Sequence, residues 1–471
     1  MRLAVLLLTL PALLPAAEIP RVWTDQAVAA FELPLAKPAL SPRHISEATY
    51  YRMPVRTIYK TYPVYHPKHE PAGYMDWLKQ QEPQSVFDPA QLKSEADWIR
   101  AGELVFNNPV SFAPVFFGAN DLRNPAFYEQ TGMPVAKDGT VPFARWVIRK
   151  KGQVELGSMG CNTCHTRILP DGSILPGAQG NNPGDRQGAW LLRQAAKFAP
   201  PAELLKRVRT FALQFEVPGL GPDDPNRRTR EMSLDQFIAA GEAIPPGVTA
   251  RSHTSMLLAP QIPDIIGVRE RRFLDHTALA RHNSIGDLMR YSALVQDTIG
   301  LAGYGDAAPA EPKPGLRYSD EQLYALALYV YSLQPPPSPH PFDATAARGK
   351  KVFERARCGS CHTAPLYTNN KLVPAGDFAP TAADRARLPI SDRRVGTDPR
   401  YALQSRKATG YYKVPSLKGL WYRGPLNHDG AVATLEQWLD PARLATVPGH
   451  DYGLKLPPAD RAALIAFLRT L

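Results

Sequence analysis

Four cysteines occur in the 471 residues, and they fall in two pairs. The first reads Cys161-Asn162-Thr163-Cys164-His165 and the second Cys358-Gly359-Ser360-Cys361-His362. Two thiols separated by two residues, with a histidine directly after, can reach one edge of a porphyrin. The thiols add to its two vinyl groups, and the imidazole comes to lie under the iron. The pattern predicts two covalently attached haem c groups (iron), with His165 and His362 as proximal ligands. Paired C-x-x-C units also hold zinc, but zinc ribbons keep their pairs roughly 15–20 residues apart. Here Cys164 and Cys358 are 194 positions apart, and a histidine follows both pairs. The same grouping speaks against the disulfides usual in an exported chain with four cysteines. Calcium stays open as a further ion, with no motif to support it.

The elements that must position these motifs repeat. Arg100-Ala101-Gly102-Glu103-Leu104-Val105-Phe106 precedes the first motif and Ala347-Arg348-Gly349-Lys350-Lys351-Val352-Phe353 the second. Both read as the end of an amphipathic helix, with Ala and Gly where another helix approaches. Downstream of each motif lies a second helix, over 319–330 and 458–468, with an acidic first turn and apolar residues at helical spacing. A third block stands between motif and last helix. Pro263, Gly267, Arg271, Leu274 and His276 of the first copy match Pro415, Gly419, Arg423, Leu426 and His428 of the second, all at an offset of 152. Pro335-Pro336-Pro337 ends the first unit and begins a stiff linker.

These signals predict a mainly α chain: two cytochrome c-type helical domains packed around two covalent haems, with long Pro-rich irregular insertions. The expected division is a signal peptide at 1–17, an N-terminal extension at 18–90, a first domain at 91–334, a linker at 335–342 and a second domain at 343–471. The 48 prolines are about twice the usual ~5%. The chain should therefore be rich in irregular, extended connections rather than sheet, and the insertions at 107–160 and 166–260 are long enough to shape a pocket.

Met1-Arg2 followed by an apolar stretch from Leu3 to Leu14 and Pro15-Ala16-Ala17 reads as a secretory signal. The stretch is shorter than the ~20 residues that span a bilayer, so no stable membrane span is expected. The protein should be periplasmic or otherwise exported, where covalent haem attachment takes place. The formal net charge of +11 is not gathered into Lys/Arg runs, which argues against nucleic acid.

The run from Tyr412 to Leu420, then Pro425-Leu426-Asn427-His428-Asp429-Gly430 and Thr434-Leu435-Glu436, resembles the C-terminal haem domain of the di-haem cytochrome c peroxidase and MauG superfamily. A di-haem rubber oxygenase belongs to the same superfamily. The resemblance covers roughly 90–471 and is tightest over 343–471. It implies two helical cytochrome c domains face to face, one haem transferring electrons and the other reacting with peroxide or dioxygen. Family peroxidases usually complete the C-terminal haem with methionine, but the last methionine here is Met289. His450 lies where the family places its distal ligand. His428 matches a histidine that usually supports the pocket by hydrogen bonding. In the first copy the family carries Trp where this chain has His276, and a catalytic glutamate about twenty positions on. That neighbourhood here holds Gln296 and Asp297. Gln296 cannot titrate; Asp297 serves if the register slips by one. His276 and His282 are further candidates as distal ligands or acid/base groups.

Two functions of different class follow. One is an exported di-haem oxidoreductase, peroxidase-like or an oxygenase of an organic substrate. It would draw electrons from a small soluble cytochrome c or copper protein. The other is a non-enzymatic electron carrier with both irons capped.

Overall fold

The computed structural model describes residues 18–113, 116–213, 220–250, 255–296, 301–304 and 315–471. The signal segment 1–17 and Asp297 lie outside the described residues. Five helices position the motifs: α1 (Glu95–Asn107), α2 (Ile285–Gln296), α3 (Asp320–Ser332), α4 (Ala344–Arg355) and α5 (Pro458–Arg469). Their starts are written locally. Ser94 with Asp97 and Ser319 with Gln322 form reciprocal capping boxes, Asp343 caps α4, and α5 opens on Pro458.

Two helix pairs carry the molecule, α1 with α3 and α4 with α5. They cross in the same way. A Cβ on Gly102 would collide with the Ala325 carbonyl and lie 2.7 Å from Tyr329 Cβ. A Cβ on Gly349 would collide with the Ala463 carbonyl and lie 2.8 Å from Phe467 Cβ. Beside each crossing an aromatic pair packs, Phe106 with Tyr329 at 5.3 Å between ring centres and Phe353 with Phe467 at 5.5 Å. Glycine is needed because backbone touches backbone. Residues 333–343 between the pairs hold no helix or strand.

The insertion at 107–160 departs from the irregular connection expected of it. It contains an eleven-residue strand, β2 (Thr140–Lys150), flanked antiparallel by β1 (Thr61–Tyr65) and β3 (Gln153–Gly157). Val141, Phe143, Ala144, Trp146, Val147 and Ile148 are all buried, so both faces of this central strand are covered. Its proline does not break the sheet. Pro142 falls where the pairing with β1 slips register, a place that needs no N–H.

The N-terminal extension packs against the first helix pair and bonds on to residues between 372 and 411. Trp23 and Tyr50 stack at 4.8 Å within the core that also holds α1, α2 and α3. Leu33 N donates to Leu279 O, and Ala36 N donates to Ala408 O at 2.7 Å. Leu33 packs with Phe273, Leu372 and Tyr411. Among the described residues no helix is long and apolar enough to cross a membrane.

Candidate functional site

Each motif histidine is held by the block that repeats at 152 positions. His165 Nδ1 lies 3.0 Å from Pro263 O, and His362 Nδ1 lies 3.2 Å from Pro415 O. Arg271 donates to the carbonyls of Asp264 and Ile266. Arg423 donates to those of Ser416 and Lys418, at 2.8 and 3.1 Å. Every acceptor keeps the same offset. Gly267 and Gly419 share a left-handed φ of 70° and 76°, and Asp275 and Asn427 one of 67° and 73°. The arginine therefore folds the turn that aims a proline carbonyl at the ring. A proton held on Nδ1 leaves Nε2 as the metal-binding nitrogen.

At the second motif a cavity of about 260 Å³ is lined by Cys358, Cys361, His362 and His450. The imidazoles of His362 and His450 face each other with ring centres 6.3 Å apart and planes at 52°. Two metal–imidazole bonds of about 2.0–2.1 Å, with ~1.1 Å from nitrogen to ring centre, span ~6.3 Å. His450 Nδ1 is buried and has no hydrogen-bond partner among the described residues. Burial pushes the His362 imidazole down to about 4, helped by His450, and burial lowers His450 as well. Both shifts favour the neutral ring, the form that ligation requires. The cavity wall also carries five basic side chains, Arg271, Arg357, Arg393, Lys413 and Arg423, against one carboxylate, Asp264. Burial draws the Lys413 ammonium down to about 7. A porphyrin's two propionates would offset part of that excess. The residues present therefore fit a haem, with Cys358 and Cys361 to attach it and His362 and His450 to ligate its iron.

His450 owes its aim to a loop that sequence reasoning did not single out. Its φ is 48°, and its N–H donates to Val395 O at 2.5 Å. The buried Arg443 donates to the carbonyls of Val447, Gly449 and His450. A Cβ on Gly449 would collide with the backbone of Gly396 and Thr397.

The first motif sits in a different setting. Cys161–Cys164 is a single helical turn, and its two inner residues are gripped by β2. Asn162 Nδ2 donates to Pro142 O at 2.7 Å, and Thr163 Oγ1 donates to Phe143 O at 3.1 Å. The unexpected strand is thus what seats this motif. Cys161 packs against the first core, and burial pushes its thiol up to about 12. Gln296, the last residue of α2, donates from Nε2 to Cys161 Sγ at 3.6 Å. The structure therefore brings Gln296 to the first motif.

The remaining candidates fall elsewhere. His276 is not placed over the first motif. It lines the cavity of the second, with Nε2 2.7 Å from Gln261 O, because its own carbonyl accepts from Lys413 N of the second unit. His282 has both ring nitrogens engaged, Nδ1 with Arg271 O and Nε2 with Tyr331 Oη, each at 2.6 Å. That leaves no nitrogen for a metal. His428 stacks on Tyr412 at 4.2 Å between ring centres. Met289 is fully buried in the first core.

Comparison with known proteins supports the C-terminal half of this picture. Residues 346–471 match the cytochrome c family model, which implies covalent haem c at Cys358 and Cys361. A cytochrome-c peroxidase of Denitromonas iodatirespirans is 30% identical over 152 residues, 27% of this chain and 40% of that protein. The match thus spans less than half of the relative's length. Among solved structures, hydrazine synthase of Kuenenia stuttgartiensis is 17% identical with a TM-score of 0.28, covering 45% of this chain and 72% of that one. A MauG-like protein associated with microbial copper homeostasis is 20% identical with a TM-score of 0.23, covering 32% and 56%. At those scores the two structural likenesses carry no weight on their own. Residues 346–471 are thus a cytochrome c domain, and part of the chain is similar in sequence to a cytochrome-c peroxidase.

Proposed function

We propose that the chain is an exported di-haem c-type oxidoreductase. Its C-terminal haem, held by Cys358, Cys361, His362 and His450, relays electrons. Its N-terminal haem, held by Cys161, Cys164 and His165, reacts with peroxide or dioxygen. On this reading 91–334 and 343–471 are the two cytochrome units, joined by 335–342. The observation that carries it is the asymmetry of the two motifs. At the second, two imidazoles face each other across 6.3 Å, the arrangement of a capped electron-transfer site. At the first, the carboxamide of Gln296 lies against Cys161 Sγ. The haem supplies redox chemistry when bound. The chain's own residues fix the proximal rings through Pro263 and Pro415 and bury the first motif beneath β2.

Ligand binding tests the division of labour. Titration of the purified protein with cyanide or carbon monoxide should saturate near one site per chain, with one high-spin ferric signal. Two low-spin, ligand-refractory haems would make the protein an electron carrier instead. Haem staining of denatured protein should survive, with a mass increase of two haems. Cys358→Ala/Cys361→Ala should retain one.

Gln296 bears on the reaction itself. A positioned acid/base group contributes about 10²–10⁴-fold to such a proton transfer, and an amide cannot provide it. Steady-state peroxide turnover should therefore be low, and Gln296→Glu should raise it by at least tenfold. Turnover unaffected by this change, together with loss on Asp297→Asn, would move the role to residue 297.

A further inference from the structure

The chain's charge is distributed unevenly, and the distribution points to a partner. Residues 343–471 carry 20 Lys and Arg against 11 Asp and Glu, a formal +9 of the whole chain's +11. The preceding 342 residues hold 35 against 33. In the C-terminal unit twelve of the basic side chains are exposed, against seven of the acidic ones. Three of those twelve, Arg348, Arg355 and Arg400, are taken up in ion pairs with Asp460 and Asp398.

The two motifs also differ in access. Asn162 and Thr163, between the first pair of cysteines, are buried under β2. Ser360, between the second pair, is exposed, and so is Arg357 beside it. The cavity of the second motif has Arg357 and Arg393 as its exposed charged lining residues, with Tyr452 38% exposed beside them. Asp392 and Asp451, the carboxylates adjacent in sequence, are exposed but do not line it.

We propose that electrons enter at this cavity from a small redox protein with an acidic face, docked against Arg357 and Arg393 and steered by the net +9 of the unit. The proposal rests on the relay role of the C-terminal haem and adds the partner's chemistry to it. One electron passes from the reduced donor to the ferric haem, and no bond is made or broken. A cleft of one sign of charge accelerates such encounters by about 10–10³-fold, and salt removes the advantage. Rim charges act on the association rate more than on the affinity of the docked pair.

Stopped-flow reduction of the loaded full-length protein tests this with two reductants. One is a strongly acidic reduced flavin protein, the other a photoreduced neutral deazaflavin. The second-order rate with the acidic donor should fall at least tenfold between low and high salt, and the neutral reductant's rate should not follow salt. Arg357→Asn/Arg393→Gln should lower the acidic donor's low-salt rate several-fold. Asparagine is chosen because residue 357 has a left-handed φ of 59°. The neutral reductant reports on whether the haem site itself is damaged. A salt-independent rate with the acidic donor, or a faster reaction with a basic cytochrome at low salt, would overturn the proposal. Failure of the neutral reductant to reduce the C-terminal haem would overturn the relay role instead.

Discussion

Replacing His450 with alanine should convert the C-terminal haem from low-spin to high-spin and open it to exogenous ligands. The imidazole of His450 is the ring that faces His362 across the cavity, and the last methionine of the chain is Met289, a residue of the first core. No thioether of the second unit can take its place. Carbon monoxide binding should rise from about one to about two sites per chain as the sixth position is vacated. The reduction potential of that haem should rise with the loss of a nitrogen ligand. His428→Ala makes the counterpart. His428 is stacked on Tyr412, and its carbonyl accepts from Gln261 N. Its removal should perturb the cavity but leave the iron low-spin. Spectra that came out the other way round would assign the ligand to His428.

Gly349→Val should cost the chain its C-terminal haem unit. The first atom added would meet the Ala463 carbonyl where α4 crosses α5, and a carbonyl in a helix cannot turn aside. Overpacking of flexible side chains costs about 1–3 kcal/mol, and a backbone contact relaxes less. Against a typical stability of about 5–15 kcal/mol, this should lower the melting temperature sharply and leave haem substoichiometric by pyridine haemochrome. Gly102→Val should do the same to the first pair through Ala325. Gly188→Ala is the control. It stands in the helix Gly184–Ala195 with nothing within 4 Å of its added Cβ, so it should leave stability unchanged or raise it by about 0.5–1 kcal/mol.

Those glycines show which parts of the fold sequence alone could reveal. Helix pairs are local: caps, apolar spacing and the small residue at the crossing all fall within one stretch of chain. The repeated block was legible because its two copies run without a gap, and the Arg271 and Arg423 clamps explain why. Each donates to carbonyls five and seven residues back, so an insertion would break the turn. The strand β2 was not legible. Its apolar residues do not alternate and it contains a proline, and its strand character comes from two partners, one of them nearly 80 residues earlier. His276 was read as a neighbour of the first haem because its block follows the first motif. The fold instead pairs its carbonyl with Lys413 and turns the ring into the other cavity. His450 was found by its position. Its left-handed backbone and the Arg443 hydrogen bonds that impose it depend on a packed loop, which no local pattern encodes.

The N-terminal strap couples the assembly of distant parts of the chain. Leu33 bonds to Leu279 and Ala36 to Ala408, so this segment closes only on partners about 250 and 370 residues further along the chain. Contacts that distant close slowly. The latch can close only when both partner segments are in place. Protease resistance of residues 18–50 is accordingly a readout of finished molecules.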